Sequence, residues 1–281
     1  NVFPVPDGDT GTNMHLTLQR AYDAIAHMDE AHAGTVGERV AQGALRGARG
    51  NSGVILSQLL RGFADVVRDH EAFDVAVLRD ALGAAVSAGY RAVMEPVEGT
   101  ILTVARAVHL AVDVHRGDDL ADALSVMLTA AEEALADTPN QLKVLKEAGV
   151  VDSGGQGLVF ILDGMLRLLR GETLEAPDDA SMSKSAQNGH AWEQALAPED
   201  TDGYGYDVQF LMYGATTEAE IIRAALRGMG WDVLVVGDGD PLKVHIHTHD
   251  PGEPISYGVA HSTYIDDIVV ENMQAQYMDY V

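Results

Sequence analysis

Gly50-Asn51-Ser52-Gly53-Val54-Ile55-Leu56-Ser57-Gln58-Leu59-Leu60-Arg61-Gly62-Phe63-Ala64-Asp65-Val66-Val67 opens on small polar residues and then carries Ile55, Leu59, Phe63 and Val66 three and four apart. Apolar residues at that period line one face of an α-helix. The spacing returns in Leu18, Tyr22 and Ile25, in Leu78, Leu82, Val86 and Val93, and in Ile101, Val104, Val108 and Val112. It returns again in Leu120, Leu124, Met127, Ala131 and Leu135, and in Val159, Leu162, Met165, Leu166 and Leu169. Residues 1–171 therefore read as an all-helical domain. Its loops are alike in being polar and glycine-bearing. Gly50-Asn51-Ser52-Gly53, Glu98-Gly99-Thr100 and Asp152-Ser153-Gly154-Gly155-Gln156-Gly157 each stand immediately before a helix. The unpaired N–H groups and positive dipole end of a helix start favour anions. One such start is ordinary capping chemistry, whereas several in one domain suggest helix ends gathered around a phosphate-rich ligand.

A further start is the run Asn1-Val2-Phe3-Pro4-Val5-Pro6-Asp7-Gly8-Asp9-Thr10-Gly11-Thr12-Asn13. Residues two apart in an extended segment point the same way, so the Asp7 and Asp9 carboxylates can converge. Like charges ~4 Å apart repel by roughly 1 to 4 kcal/mol in wet surroundings, and a divalent cation relieves that repulsion. Pro4 and Pro6 stiffen the approach, while Gly8 and Gly11 let backbone come close to a ligand. The segment suits Mg²⁺ held on oxygen beside a phosphate. Asp-Gly-Asp-Thr-Gly is equally good turn and capping chemistry, and spacing alone does not decide between the two.

Residues 172–203 hold Pro177, Asp178, Asp179, Ser181, Ser183, Ser185, Asn188, Gly189 and Pro198 with little periodicity and read as a flexible linker. Beyond it the period changes to two. Tyr206–Tyr213 and Leu242–Thr248 alternate, Val233–Val236 is a short strand, and Ile265–Val270 closes the series. Helices are expected around Ile222–Met229 and Ile255–His261, giving strand, helix, strand, strand, helix, strand, the ferredoxin-like order, over 204–281. In Leu242–Thr248 the apolar set leaves Lys243, His245 and His247 on the other face, with His249 continuing the row. Asp207 and Gln209 of the first strand should share that face. Two histidines and a carboxylate on neighbouring strands can make a Zn²⁺ site with one position open. A polar sheet face exposed to solvent or buried in a dimer gives the same pattern.

The chain has 281 residues, 47% of them hydrophobic, and no cysteine, which excludes disulfides and thiolate chemistry and suits a cytoplasmic setting. A net charge of −25 disfavours nucleic acid and anionic lipid as partners, and no apolar run reaches the ~18 residues of a membrane span. An anionic substrate would need metal ions or a local basic cluster to be held. Neither a Gly-x-x-x-x-Gly-Lys-Ser/Thr loop nor the protein-kinase signature set occurs.

Taken together, Asn1–Met14, Gly47-Ala48-Arg49-Gly50-Asn51-Ser52-Gly53-Val54-Ile55-Leu56-Ser57-Gln58, Glu98-Gly99-Thr100-Ile101-Leu102 and Val151–Gly157 resemble the kinase subunit of bacterial fatty acid kinase. The amino-terminal domain of that subunit is similar to the nucleotide-binding subunit of dihydroxyacetone kinases. The resemblance continues through Gly203–Tyr206, Lys243–Thr248 and Glu271-Asn272-Met273. It implies an antiparallel helical barrel whose loops bind ATP through two Mg²⁺ ions, followed by a smaller α+β domain. By that resemblance Asp7 and Asp9 are metal ligands and carry catalysis, and Asn1 takes a third metal-site position. Thr10, Gly11, Thr12, Asn13, Asn51, Ser52, Gly53 and Thr100 would surround the phosphates, with Gly154, Gly155 and Gln156 in the nucleotide loop beside Asp152. The implied acceptor is a fatty acid carboxylate presented by a separate fatty-acid-binding protein, and the implied product an acyl phosphate. The family commonly has Cys where this chain has Asp207, so a Zn²⁺ site on Asp207, His245 and His247 would have an altered donor set. A homodimer formed through the second domain is the expected assembly. Two rival readings remain: a dihydroxyacetone-type small-molecule kinase, and a non-catalytic nucleotide-sensing scaffold.

Overall fold

The computed structural model describes residues 8–29, 31–173, 203–237 and 239–280; Asn1, Asp7 and most of the expected linker lie outside them. Eight helices come first: α1 (Thr10–Asp23), α2 (Ala33–Gly47), α3 (Gly50–Val67), α4 (Val75–Ala92), α5 (Ile101–Val114), α6 (Leu120–Gln141), α7 (Lys143–Ala148) and α8 (Ser153–Leu169). Successive helices pack on one another from α1 to α6, α6 and α5 both meet α8, and α8 returns to α1. Most of the apolar stripes read from the sequence form the core, but Tyr22, Met165 and Leu169, counted in those stripes, are exposed at the stripe edges. Val104, Val108, Leu124, Met127, Val159 and Leu162 lie in one cluster, and Met14, Leu56, Leu59, Ile101 and Ala105 in a second.

Helix α2 has few large apolar residues, and hydrophobic spacing gives it no signature of its own. It holds its place through small ones. A Cβ on Gly43 would stand 2.6 Å from the Arg20 carbonyl oxygen, and one on Gly34 would collide with the Arg68 carbonyl. The absence of side chains lets α2 lie backbone to backbone against its neighbours.

The second part runs β1 (Tyr206–Tyr213), α9 (Ala219–Leu226), β2 (Trp231–Val236), β3 (Leu242–Thr248), α10 (Gly252–Ala260), β4 (Tyr264–Asn272) and α11 (Met273–Tyr280). The four strands form one antiparallel sheet in the order β2-β3-β1-β4, so the first and third strands sit in the middle as expected. Val208, Phe210, Met212, Val244 and Ile246 face α9 and α10 across an apolar core containing Ile222 and Leu226. Helix α11 follows β4 directly, and the alternation rule gave no sign of it.

The opposite, polar face of the sheet is not exposed to solvent. Lys243, His245 and Gln209 are fully buried, and Asp207 and His247 nearly so. The start of α3 covers them, and Ala48, Val54 and Ala92 of the helical part pack with Leu234 and Val236 of β2. Arg49, just before α3, makes a two-pronged ion pair with Asp267 of β4 at 2.9 and 3.0 Å.

Candidate active site

The starts of α1, α3, α5 and α8 open on one cavity of about 380 Å³, which the second part closes with β2, His247 and Asp207. Such a volume is that of a small-ligand site. Asp9 precedes α1 and its Oδ2 accepts from the Asn13 amide at 2.7 Å. Buried Thr17, one turn on, donates to the Asn13 carbonyl at 2.7 Å and accepts from the Arg49 N–H at 3.3 Å, which ties α1 to the loop before α3. Gly50 sits at φ +57° with the Asn13 amide where a Cβ would be, a conformation and a closeness that only glycine permits. Asp152 caps α8 by accepting from the Gly155 N–H at 2.7 Å, while its own N–H donates to the Thr138 hydroxyl at 3.1 Å. Burial raises the Asp152 carboxyl to about 6, against the opposing pull of the Gly155 N–H.

Asp9, Thr10, Asn13, Asn51, Ser52, Thr100, Asp152 and Gly154 all border this cavity. Gly53, Gly155 and Gln156 lie one step further into their helices and do not line it, and Gly11 and Thr12 are exposed on the first turn of α1. Among the described residues the lining holds five acidic side chains, Asp9, Glu95, Asp152, Asp207 and Asp232, and neither lysine nor arginine. The N–H groups of Asn51 and Ser52 donate to no protein group among the described residues. An anion entering here meets N–H donors and carboxylates together, and the carboxylates must be neutralised by cations.

On the cavity's far wall, ligand atoms of Asp207, His245 and His247 lie within 4.8 Å of one another. Register explains it: Asp207 stands opposite His247, and Gln209 opposite His245, in the β1–β3 pair. His245 Nδ1 is 3.1 Å from Asp207 Oδ1, and its Nε2 is buried with no hydrogen-bond partner. Two imidazoles and one carboxylate, all buried and within reach of one point, fit a divalent transition metal such as Zn²⁺. Burial works to raise the Asp207 carboxyl, but the two facing histidines outweigh it and hold it below its ordinary value.

Asp232, which periodicity does not mark, stands 3.2 Å from His247 Nδ1. It occupies φ +49° where the β2–β3 register shifts, so the irregularity turns a carboxylate toward the histidine. A carboxylate behind an imidazole fixes the ring's orientation. The signal available was an acidic residue inside the apolar run Trp231–Val236. Glu271 is pushed up by burial and by the charges of Asp207 and Asp9, so the two acidic centres belong to one electrostatic neighbourhood.

Residues 4–167 match the DAK2 domain, and the chain belongs to that family. Residues 203–279 match the middle domain of proteins that are like the A-subunit of fatty acid kinase. The chain is 40% identical over 288 aligned positions to uncharacterized proteins of Staphylococcus epidermidis and Staphylococcus saprophyticus, and 39% identical over 289 to one of Staphylococcus aureus. Each alignment takes in 100% of this chain and 52% of the relative, so the chain spans about half the length of the curated relatives it matches.

Proposed function

We propose that this chain is the ATP-binding part of a kinase that phosphorylates a fatty acid carboxylate, held by a separate binding protein, to an acyl phosphate. The helical unit, taken as 1–171, is read as an antiparallel barrel, which the return of α8 to α1 supports. The α+β unit, taken as 204–281, closes its open end and, in this reading, carries a homodimer contact. The observation that carries the function is the cavity itself: four helix starts and five carboxylates with neither lysine nor arginine among the described lining residues. That chemistry suits a polyphosphate only when metal ions accompany it.

Asp9, with Asp7 and Asn1, would hold two Mg²⁺ ions, which when bound would supply positive charge against the phosphates and the charge developing in transfer. The N–H groups at Asn51 and Ser52 bind equatorial phosphate oxygens and orient the chain of phosphates. Thr10, Asn13 and Thr100 supply further polar contacts. Val93, Met94 and Val97 with Trp231 give the cavity an apolar wall. The acceptor carboxylate oxygen attacks the terminal phosphorus as the bond to the ADP oxygen breaks. The nucleophile is already an anion, so no side chain has to remove a proton. ADP and acyl phosphate leave. Positioning and charge cancellation are therefore the protein's main tasks.

Calorimetric titration with ATP tests this directly. Heat of binding should appear with Mg²⁺ and vanish with EDTA, and Asp9→Ala should weaken Mg-ATP by about 100-fold or more while the circular dichroism spectrum stays unchanged. Equal ATP affinity with and without Mg²⁺ would overturn the reading. Transfer of label to a protein-bound fatty acid, rather than to dihydroxyacetone, identifies the acceptor. A bound but unhydrolysed, untransferred nucleotide would identify a sensor instead.

A further inference from the structure

Gln209 lies within β1 on the sheet's polar face, and its amide touches the start of α3 in the helical part. Its Oε1 accepts from the Gly50 N–H at 3.2 Å, and its Nε2 donates to Asp207 Oδ2 at 2.9 Å. Asp207 in turn approaches His245 Nδ1 through its other oxygen at 3.1 Å. Gln209 is fully buried, and the Gly50 contact is buried as well. A carboxylate only accepts and a backbone N–H only donates, so the amide has a single satisfied orientation between them. The sheet ladder does not need this side chain, because its bonds are made by backbone.

Resting on the functional reading above, we propose that Gln209 is a positioning residue: it fixes the backbone at Gly50 and so aims the neighbouring N–H groups of Asn51 and Ser52, and it links that loop to the Asp207–His245–His247 cluster. Gly50 has φ +57° and no side chain to limit it, so the loop's direction must come from outside. Gln209 holds it at Gly50, and the Arg49–Asp267 ion pair holds it one residue earlier. Both anchors are on the α+β part, and they act beside the Thr17 hydroxyl of α1, which accepts from the Arg49 N–H. The second domain thereby sets the donors that receive phosphate, and an altered Asp207 would be felt at Gly50 through one amide.

The test uses the full chain and two variants. Gln209→Met keeps the volume and removes both hydrogen bonds. Asp207→Asn/Gln209→Glu reverses the polarity of the pair: the new amide donates to the new carboxylate, which still accepts from Gly50, and the net charge is unchanged. Gln209→Met should weaken Mg-ATP binding about 5- to 30-fold and speed amide hydrogen exchange across residues 48–54, with exchange in α5 and α6 unaltered. The reversed pair should bring amide exchange across residues 48–54 back to within about threefold of wild type, a readout that does not depend on Asp207 serving as a metal ligand. Wild-type affinity and exchange in Gln209→Met would overturn the proposal. So would failure of the reversed pair to recover, which would make Gln209 a packing residue. Absence of Mg-ATP binding by the wild-type chain would remove the functional reading instead, while the exchange measurement would still decide whether Gln209 orders the loop.

Discussion

Replacing Asp267 by Asn isolates the charge that joins the two parts of the chain. Asp267 sits at φ +51°, a conformation Asn accepts about as well as Asp, so the substitution adds little backbone strain. It removes the partner of a two-pronged Arg49 contact at 2.9 and 3.0 Å whose side chains are 20% and 31% exposed. It also removes the carboxylate 3.6 Å from Lys243 Nζ, a fully buried ammonium that burial has already lowered to about 8. An exposed ion pair contributes up to about 1 kcal/mol, and breaking a buried one costs about 3 to 5. This pair is half-buried, so a loss of about 2 kcal/mol is expected. For a cooperative unit of 150 to 250 residues that is a fall in Tm of about 4 to 8 °C. Scanning calorimetry at pH 7 on wild type, Asp267→Asn, Arg49→Met and the double variant measures it. The two single losses should overlap, leaving a coupling energy above about 1 kcal/mol that persists in moderate salt. Additive losses, or a Tm change below 2 °C, would refute the claim that this contact holds the sheet to the loop before α3.

Two further outcomes follow from the site. His245→Ala should lower transition-metal content, measured by elemental analysis after dialysis, to below one tenth of wild type, because one of two imidazole donors is gone; unchanged metal content would dismiss the three-residue site. Asp152 gives a pH signature. Its folded-state carboxyl stands at about 6 against an ordinary 3.8, so between those values the native state binds more protons than the unfolded one and stability declines as pH rises. The span corresponds to about 3 kcal/mol, fully expressed above pH 6. Asp152→Asn keeps an acceptor for the Gly155 N–H and should be more stable than wild type at pH 7 but not at pH 4, by urea denaturation. A difference independent of pH would show that Asp152 is not buried in its charged form.

Local pattern sufficed for much of this protein. Period 3.6 from Leu18 to Leu169 and period two in Tyr206–Tyr213 and Leu242–Thr248 placed most helices and strands, because each needs one apolar face to bury. Alternation also put Asp207, Gln209, His245 and His247 on one side of adjacent strands, and register then aligned them. Helix α2 escaped that logic, since its packing depends on glycines that carry no hydrophobic signal. What lay on the polar face was beyond sequence as well. Solvent, a second copy or another part of the same chain would all tolerate those residues; only tertiary structure placed the start of α3 there, with Gly50 against Gln209 and Arg49 against Asp267. The same docking brought Asp232, Trp231 and Met273 to a cavity whose other wall is Asp9 and Asn51. Periodicity reports which side of an element is buried, whereas contacts between residues some 160 to 220 positions apart depend on how two surfaces meet, and that information is distributed over both.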